Sequence, residues 1–188
     1  MSLGIHIFDT AIGPCGLVWS ERGIVASSLP EGTAEATLAR LKTRRPKAVE
    51  QAPLPFVQDA VATIQRLAEG AVVDMTDIPL DNHDHPDFEL QVWAVTHAIP
   101  YGRTLTYGDI ARRLGDVALS RAVGQALGAN PIPIIVPCHR VVASDGRSGG
   151  FSAAGGVSTK LRLLNIERAN TSPEPMLFGD LPLELRRG

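Results

Sequence analysis

The 188-residue chain is long enough for one large or two small domains, and its 44% hydrophobic and 20% charged residues are typical of a globular protein. The formal net charge of −2 argues against a general nucleic-acid binder, although residues 88–168 carry nine Lys or Arg against five Asp or Glu and therefore allow a local basic face. No apolar run approaches the length of a membrane span, no signal peptide is visible, and two cysteines cannot make a disulfide scaffold, so we expect a cytoplasmic protein without a membrane partner.

Residues 1–80 have the pattern of a small α+β domain. Alternating apolar residues predict strands, and apolar residues three and four positions apart predict helices. Strands are expected at residues 5–8, 15–19 and 24–27, and helices at 33–45 and 53–70. A further strand is expected at 71–80. Cys15 lies in the opening hairpin with no histidine or acid at metal-ligand spacing, and we interpret it as a packing residue.

Residues 81–87 are polar and are expected to link this domain to the next one. His83 and His85 with their flanking acids suggest a metal chelate, but no third soft ligand follows at a regular spacing. A solvated loop is therefore favoured, and we predict neither a bound metal nor a cofactor.

Three helices are predicted after the linker, and the last two have the outline of a helix-turn-helix. The first begins at Phe88 and stops at 99–102, the second is capped by Thr106 and ends at Gly115, and the third covers residues 120–129. The surface of the third helix consists of small or polar residues and one cation, which permits close approach to a grooved partner. The small or polar residues are Ser120, Gly124, Gln125 and Gly128, and the cation is Arg121. An ordinary pair of packed helices explains the pattern equally well.

The segment 130–142 combines a rigid turn with a candidate reactive thiol. Asn130 and three prolines constrain the backbone, and Cys138 is followed at once by His139. Cysteine is a strong nucleophile in its thiolate form, and a neighbouring imidazole is a usual means of forming a thiolate near neutral pH. A buried packing cysteine at a strand end is the alternative, since free cysteine is among the most buried residue types.

A loop rich in Gly and Ser and a final helix complete the pattern. The loop, residues 144–156, matches neither a P-loop nor a dinucleotide-binding motif, and it is a candidate for a wall over a pocket. The helix is expected over 157–168, where four residues lie along one side: Val157, Leu161, Leu164 and Arg168. Near its end, Glu167 points either back to the cysteine segment or into solvent. Residues 169–188 are expected to form an extended tail.

These residues resemble the O6-alkylguanine-DNA alkyltransferases, also called methylated-DNA–protein-cysteine methyltransferases. The stretch Pro137-Cys138-His139-Arg140-Val141-Val142 is similar to the signature of that family. Other blocks occur in the family's order and spacing: Ile99-Pro100-Tyr101-Gly102, Thr106-Tyr107, Arg121-Ala122-Val123-Gly124, Asn130-Pro131 and Lys160 to Glu167. The resemblance covers residues 88–168 strongly and the N-terminal part loosely.

The resemblance implies an α+β chain with a small ribonuclease H-like domain at 1–80, a linker at 81–87, a mostly helical DNA-binding and alkyl-acceptor domain at 88–168 and a tail at 169–188. The implied activity is DNA repair by direct reversal in a monomer. One alkyl group is transferred irreversibly from O6-alkylguanine, and also from O4-alkylthymine, in double-stranded DNA. The damaged base is first flipped out through the minor groove.

The resemblance also implies the catalytic roles. Cys138 is the nucleophile and alkyl acceptor, His139 is its base through a water, and Glu167 orients the imidazole. Asn130 holds the turn, and Tyr107 donates to the guanine ring as charge builds on it.

The remaining roles follow from the same resemblance. Arg121 fills the gap left by the flipped base, and its neighbours on the helix contact DNA: Ser120, Gly124 and Gln125. The Cys138 and Val141 carbonyls read the exocyclic amine of the base, and Phe151 and Ser152 lie in the loop that closes over it.

Two departures and three rival interpretations accompany the resemblance. Leu119 and Ser120 stand where many family members have smaller residues, and the loop 151–156 is two residues longer than the common one. The first rival is a lesion-binding helix-turn-helix protein without turnover, which flags alkylated DNA for other repair. The second is a helix-turn-helix regulator, and neither of these two needs Cys138 beside His139. The third is a cysteine hydrolase, which would need a second, distant histidine.

Overall fold

The computed structural model has an α+β architecture and describes residues 2–145, 150–153 and 155–169. Of the expected tail, residues 170–188 lie outside the described residues, as do residues 146–149 and 154 of the Gly-rich loop. Each helix within the described ranges is too short or too polar to span a bilayer.

A four-stranded sheet forms the N-terminal part of the chain. Its strands are β1 (Leu3–Phe8), β2 (Cys15–Trp19), β3 (Ile24–Ser28) and β4 (Ala48–Glu50), in the order β3-β2-β1-β4. β1, β2 and β3 pair antiparallel, and β4 returns parallel to β1 after the helix α1 (Ala34–Arg44). This arrangement agrees with the expected ribonuclease H-like plan, and Cys15 is a core residue at 1% exposure, as predicted.

The outer edge of β3 holds two segments from later in the chain. The Ile24 N–H donates to the Pro79 carbonyl (2.8 Å), and the Ile24 carbonyl accepts from the Asp81 N–H (2.8 Å). Farther along the strand, the Ser27 N–H donates to the Pro131 carbonyl (3.0 Å). An edge strand otherwise leaves such groups unpaired, so β3 serves here as a line of attachment.

The prediction of a strand at 71–80 is wrong. Only Leu80 forms a bridge, with Ile24, and the residues before it form loops and turns. The reason is local: the Thr76 N–H donates to the Asp74 carboxylate (2.9 Å), and Pro79 has no N–H to give to a ladder. The sequence pattern also misses β4, which has three residues and one buried side chain and therefore shows no alternation.

In the part of the chain that the structure describes, five α-helices follow α1: α2 (Pro55–Ala68), α3 (Asp87–His97), α4 (Tyr107–Arg113), α5 (Ser120–Gly128) and α6 (Gly156–Ile166). α4 and α5 are joined through a 3-10 turn at Val117–Leu119 and form the predicted helix-turn-helix. Thr106 caps α4, as expected, and exchanges hydrogen bonds with Asp109 in a capping box. The Trp93 indole of α3 donates to the Ala126 carbonyl of α5 (2.8 Å) and fixes the two helices to each other.

A short parallel ladder connects the helix-turn-helix to the cysteine segment. β5 (Leu105–Thr106) pairs with β6 (Val141–Val142), which brings the first residue of α4, Tyr107, to the cysteine segment. The main cluster of buried apolar side chains includes residues from both parts of the chain, among them Leu17, Ile64, Val92, Ile132 and Leu163. The cysteine segment therefore sits where the sheet and the helices meet.

α6 packs with a different side than its apolar pattern suggests. Val157 and Leu161 are 42% and 51% exposed, whereas Lys160 and Leu164 are buried. Lys160 lies on the inward-facing side, so this side does not show the uninterrupted apolar pattern from which a buried helix face is predicted. The same side, continued past the end of the helix, carries the buried Glu167.

Candidate active site

Cys138 follows a turn whose backbone is closed by Asn130. The Asn130 side chain donates to the Val136 carbonyl (2.9 Å) and accepts from the Ile132 N–H (2.9 Å). Within the turn Ile134 has a φ of 76°, a left-handed conformation that costs a β-branched residue about 1–3 kcal/mol. The turn therefore depends on its side-chain and long-range hydrogen bonds to persist.

Glu167 is the centre of a buried hydrogen-bond network. Oε1 accepts from His139 Nε2 (2.8 Å) and Arg140 Nη2 (3.0 Å), and Oε2 accepts from Arg140 Nε (2.9 Å) and the Gly102 N–H (3.2 Å). Arg140 also donates to the Ile99 carbonyl. Of the two orientations that the sequence left open for Glu167, the structure has the inward one. Sequence analysis assigns no role to Arg140 or Gly102, because only the folded geometry brings them to the carboxylate.

These contacts determine the protonation of the pair. Burial alone would raise the pKa of Glu167, but the hydrogen bonds and charges of His139 and Arg140 outweigh it and lower that pKa from 4.5 to about 2. Burial lowers the pKa of His139 more than Glu167 raises it. Since an ionised carboxylate only accepts hydrogen bonds, the neutral imidazole carries its proton on Nε2. Nδ1 is then an acceptor, and it has no hydrogen-bond partner among the described residues.

The Cys138 thiol is half-buried and protonated at rest. Burial raises its pKa, and this effect exceeds the opposing influence of the Asn130 side chain, the Lys160 charge and nearby N–H groups. A thiol with a raised pKa requires a base before it can attack. The neighbouring His139 offers that base through its free Nδ1.

Lys160 belongs to the site, although sequence analysis assigns it no role of its own. Its side chain is fully buried, and its ammonium donates to the Val141 carbonyl and lies 5.9 Å from the centre of the Tyr107 ring. Burial lowers its pKa to about 8, while a thiolate at Cys138 acts in the opposite direction. The signal in the sequence is a lysine placed four residues before the buried Leu164 of the same helix. A protonated Lys160 favours the thiolate.

Tyr107 stands beside the thiol. Burial and the nearby Cys138 raise the pKa of its phenol, which therefore keeps its proton at neutral pH. Among the described residues, its hydroxyl makes one long contact, with the Gly150 carbonyl (3.5 Å). The phenol is thus available as a donor to a molecule that enters next to Cys138.

The three residues predicted to line the pocket lie on two segments. Val141 is fully buried on β6, and its carbonyl already accepts from Lys160. Phe151 packs against the core, and the Ser152 hydroxyl donates to the Gly128 carbonyl (3.0 Å). That bond ties the described part of the loop to the end of α5.

The four predicted DNA-binding residues lie on α5. Arg121 and Gln125 are exposed, whereas Ser120 and Gly124 are half-buried. A Cβ atom on Gly124 would be 3.8 Å from the Tyr107 ring, so the helix passes directly beside the site. The structure therefore brings the exposed face of the helix-turn-helix and the thiol to neighbouring positions.

The histidines of the 81–87 segment do not converge. His83 Nδ1 pairs with Asp81 (2.7 Å), and His85 Nδ1 lies 3.4 Å from Glu89. Within residues 2–145, 150–153 and 155–169, no three His, Cys, Asp or Glu side chains come together in a way that could hold a metal ion.

Comparisons with known proteins identify relatives over most of the chain. A family model described as the DNA-binding domain of 6-O-methylguanine DNA methyltransferase matches residues 87–169. A methylated-DNA–protein-cysteine methyltransferase of Methanothermobacter thermautotrophicus is 34% identical over 152 residues, which cover 81% of this chain and 78% of that protein. One of Mycobacterium bovis is 43% identical over 102 residues, which cover 54% of this chain and 60% of that protein. The crystal structure of Mycobacterium tuberculosis OGT in complex with DNA matches with a TM-score of 0.73 and 32% identity, covering 90% of this chain and 95% of the other.

Proposed function

Since the chain belongs to the methylated-DNA–protein-cysteine methyltransferase family, we propose that it repairs alkylated DNA by moving an alkyl group from O6 of guanine to Sγ of Cys138. The strongest support is the arrangement behind the thiol. His139, adjacent to Cys138, has one ring nitrogen 2.8 Å from the buried Glu167 and the other free to accept a proton.

The reaction is a displacement at the alkyl carbon. His139 Nδ1 takes the thiol proton through a bridging water, the Cys138 thiolate attacks the alkyl carbon, and the bond from that carbon to guanine O6 breaks. The electron pair leaves with guanine, which takes a hydrogen bond or proton from the Tyr107 phenol. The thioether that forms is not one of the reversible states of cysteine, so each protein molecule reacts once.

The buried charges serve the two proton transfers. Glu167 holds the imidazole in the tautomer protonated on Nε2 and stabilises the imidazolium that forms. Lys160 favours the thiolate and holds the Val141 carbonyl. Asn130 keeps the turn closed, so that the nucleophile stays in line with the alkyl carbon.

The DNA must be distorted before this chemistry is possible. The target atom lies inside a duplex, and flipping the base out costs about a few kcal/mol. α5 enters the minor groove, Arg121 occupies the gap in the base stack, and Ser120, Gly124 and Gln125 approach the backbone. Phe151 and the Gly-rich loop that contains it close over the flipped base.

The proposal extends to substrate range and cellular setting. O4-alkylthymine is a second substrate, and the protein acts as a cytoplasmic monomer on double-stranded DNA. Free thiols at Cys15 and Cys138 suit a reducing compartment. No cofactor is needed, because the thiol itself accepts the alkyl group. Lesion binding without turnover is not favoured, since it uses neither Cys138 nor its base.

The test is incubation with duplex DNA that contains one O6-methylguanine. Mass spectrometry is expected to find one added methylene on the Cys138 peptide, in an amount that never exceeds the amount of protein. A Cys138→Ala variant should bind the DNA and leave it unchanged, and Cys15→Ala should react like the wild type. Unmodified DNA after incubation with the wild type, or several turnovers per protein molecule, would refute the proposal.

A further inference from the structure

We infer that Ser27, on the edge strand of the N-terminal sheet, is a positioning residue for alkyl transfer, because it holds the turn that presents Cys138. The inference rests on the function proposed above. It gives the N-terminal part of the chain an indirect role in the reaction, through the placement of Cys138.

Ser27 makes two hydrogen bonds to the turn. Its N–H donates to the Pro131 carbonyl (3.0 Å), and its hydroxyl donates to the Pro133 carbonyl (2.5 Å). The residue is 1% exposed, so both bonds are shielded from bulk water. Both bonds come from one residue, which makes Ser27 a two-point clamp on the segment 131–133.

The turn needs donors from outside because it has few of its own. Pro131 and Pro133 have no N–H, and Ile134 is held at a φ of 76°. The backbone bond within the turn joins the Val136 N–H to the Ile132 carbonyl (2.9 Å), and the Asn130 side chain adds two more. Without Ser27, the Pro133 carbonyl would be buried with no donor supplied by the turn itself.

A shift of the turn reaches the thiol within a few bonds. The Val136 carbonyl accepts from the Asn130 side chain and from the Cys138 N–H (2.8 Å). Movement of residues 131–133 therefore moves the carbonyl that fixes the start of the Cys138–Arg140 3-10 turn. A misplacement of about 1 Å at a reacting group costs about a hundredfold in rate.

The next residue along the strand provides a matched control. Ser28 is also buried, at 6% exposure, but its hydroxyl donates to the Leu29 carbonyl (3.0 Å) beside it. Ser28→Ala therefore removes a buried hydroxyl from the same strand without touching the turn.

The experiment compares the wild type, Ser27→Ala and Ser28→Ala in reaction with O6-benzylguanine and with duplex DNA containing O6-methylguanine. Because each molecule reacts once, the final yield counts the correctly folded protein, while the rate constant at saturating substrate reports the placement of Cys138. Ser27→Ala is expected to reach full yield with a rate constant about ten- to a hundredfold lower and an unchanged affinity for lesion-free duplex. Ser28→Ala is expected to keep the wild-type rate.

Several results would overturn the inference. A Ser27→Ala protein with the wild-type rate constant, with reduced yield and an unchanged rate constant, or with no competent protein at all would assign Ser27 to folding alone. Equal slowing by Ser28→Ala would show a general effect of the strand. A wild-type protein that transfers no methyl group would refute the proposed function instead, so the two failures are distinguishable.

Discussion

Replacing Glu167 by glutamine removes a negative charge from the centre of the site while it keeps the shape of the side chain. The carboxylate accepts four hydrogen bonds, from His139, Arg140 and the Gly102 N–H. An amide has one acceptor oxygen and turns its NH2 group toward donors. Arg140, with a side chain that is 7% exposed, would be left without its counter-charge.

Two separate arguments give a similar size for the effect on stability. A pKa lowered from 4.5 to about 2 corresponds to about 3 kcal/mol of native-state stabilisation at neutral pH, at about 1.4 kcal/mol for each pH unit. Removing one partner of a buried ion pair typically costs about 3–5 kcal/mol. We therefore expect Glu167→Gln to lower the free energy of unfolding by about 3 kcal/mol at pH 7.

This difference depends on pH with a definite sign. The pKa of Glu167 is lower in the folded than in the unfolded chain, so its contribution is complete above about pH 5 and is lost as the pH falls toward about 2. In acid the wild-type carboxyl takes up a proton and becomes as neutral as glutamine. The stability curves of the wild type and the variant are expected to converge there.

Urea unfolding followed by the fluorescence of the buried Trp19 and Trp93 measures both quantities between about pH 7 and about pH 3. Glu89→Gln is the matched control, because Glu89 also faces a histidine but is 25% exposed, and such pairs contribute at most about 1 kcal/mol. A gap between wild type and Glu167→Gln below about 1 kcal/mol at pH 7, or one that stays constant into acid, would refute this reasoning.

Three further predictions concern individual side chains. Iodoacetamide should label Cys138 but not Cys15 in the native protein, because Cys15 is 1% exposed and burial raises its pKa to about 11. Peptide mass spectrometry with and without urea measures the labelling of each cysteine, and equal labelling of the two without urea would contradict the prediction. Lys160→Met should slow labelling of Cys138 at neutral pH and restore it in alkali, because the thiolate loses a nearby positive charge; a pH profile identical to that of the wild type would exclude that role. Arg121→Ala should slow repair of O6-methylguanine in duplex DNA more than reaction with free O6-benzylguanine, since only the duplex needs its base stack filled, and equal loss on both would remove this assignment.

The parts of the fold that local chemistry determines could be predicted from the sequence. Thr106 and Gly115 mark the ends of α4, and apolar spacing identifies α2 and α5. The resemblance also singled out the residues that the structure gathers at one place, from Cys138 and His139 to Glu167. These features are either short-range or belong to a motif that survives in the sequence.

The rest depends on contacts between distant segments. Lys160 is buried because a carbonyl and an aromatic ring from other elements receive its ammonium, and no periodicity reveals such partners. From the sequence alone Arg140 would be expected on the surface, whereas in the structure it donates hydrogen bonds to Glu167 and to the Ile99 carbonyl. The clamp from Ser27 is equally invisible, since serine on an edge strand is ordinary.

The large sequence separation of these contacts affects how quickly newly synthesised protein becomes active. The Ser27 hydroxyl bonds a carbonyl 106 positions away, and Glu167 reaches Gly102 across 65 positions. Closing such large loops slows folding, and Glu167 is the last of these residues to leave the ribosome. A protein consumed by every lesion must be replaced by new synthesis. Assembly of this network therefore adds to the time that synthesis takes before a newly made protein molecule can repair a base.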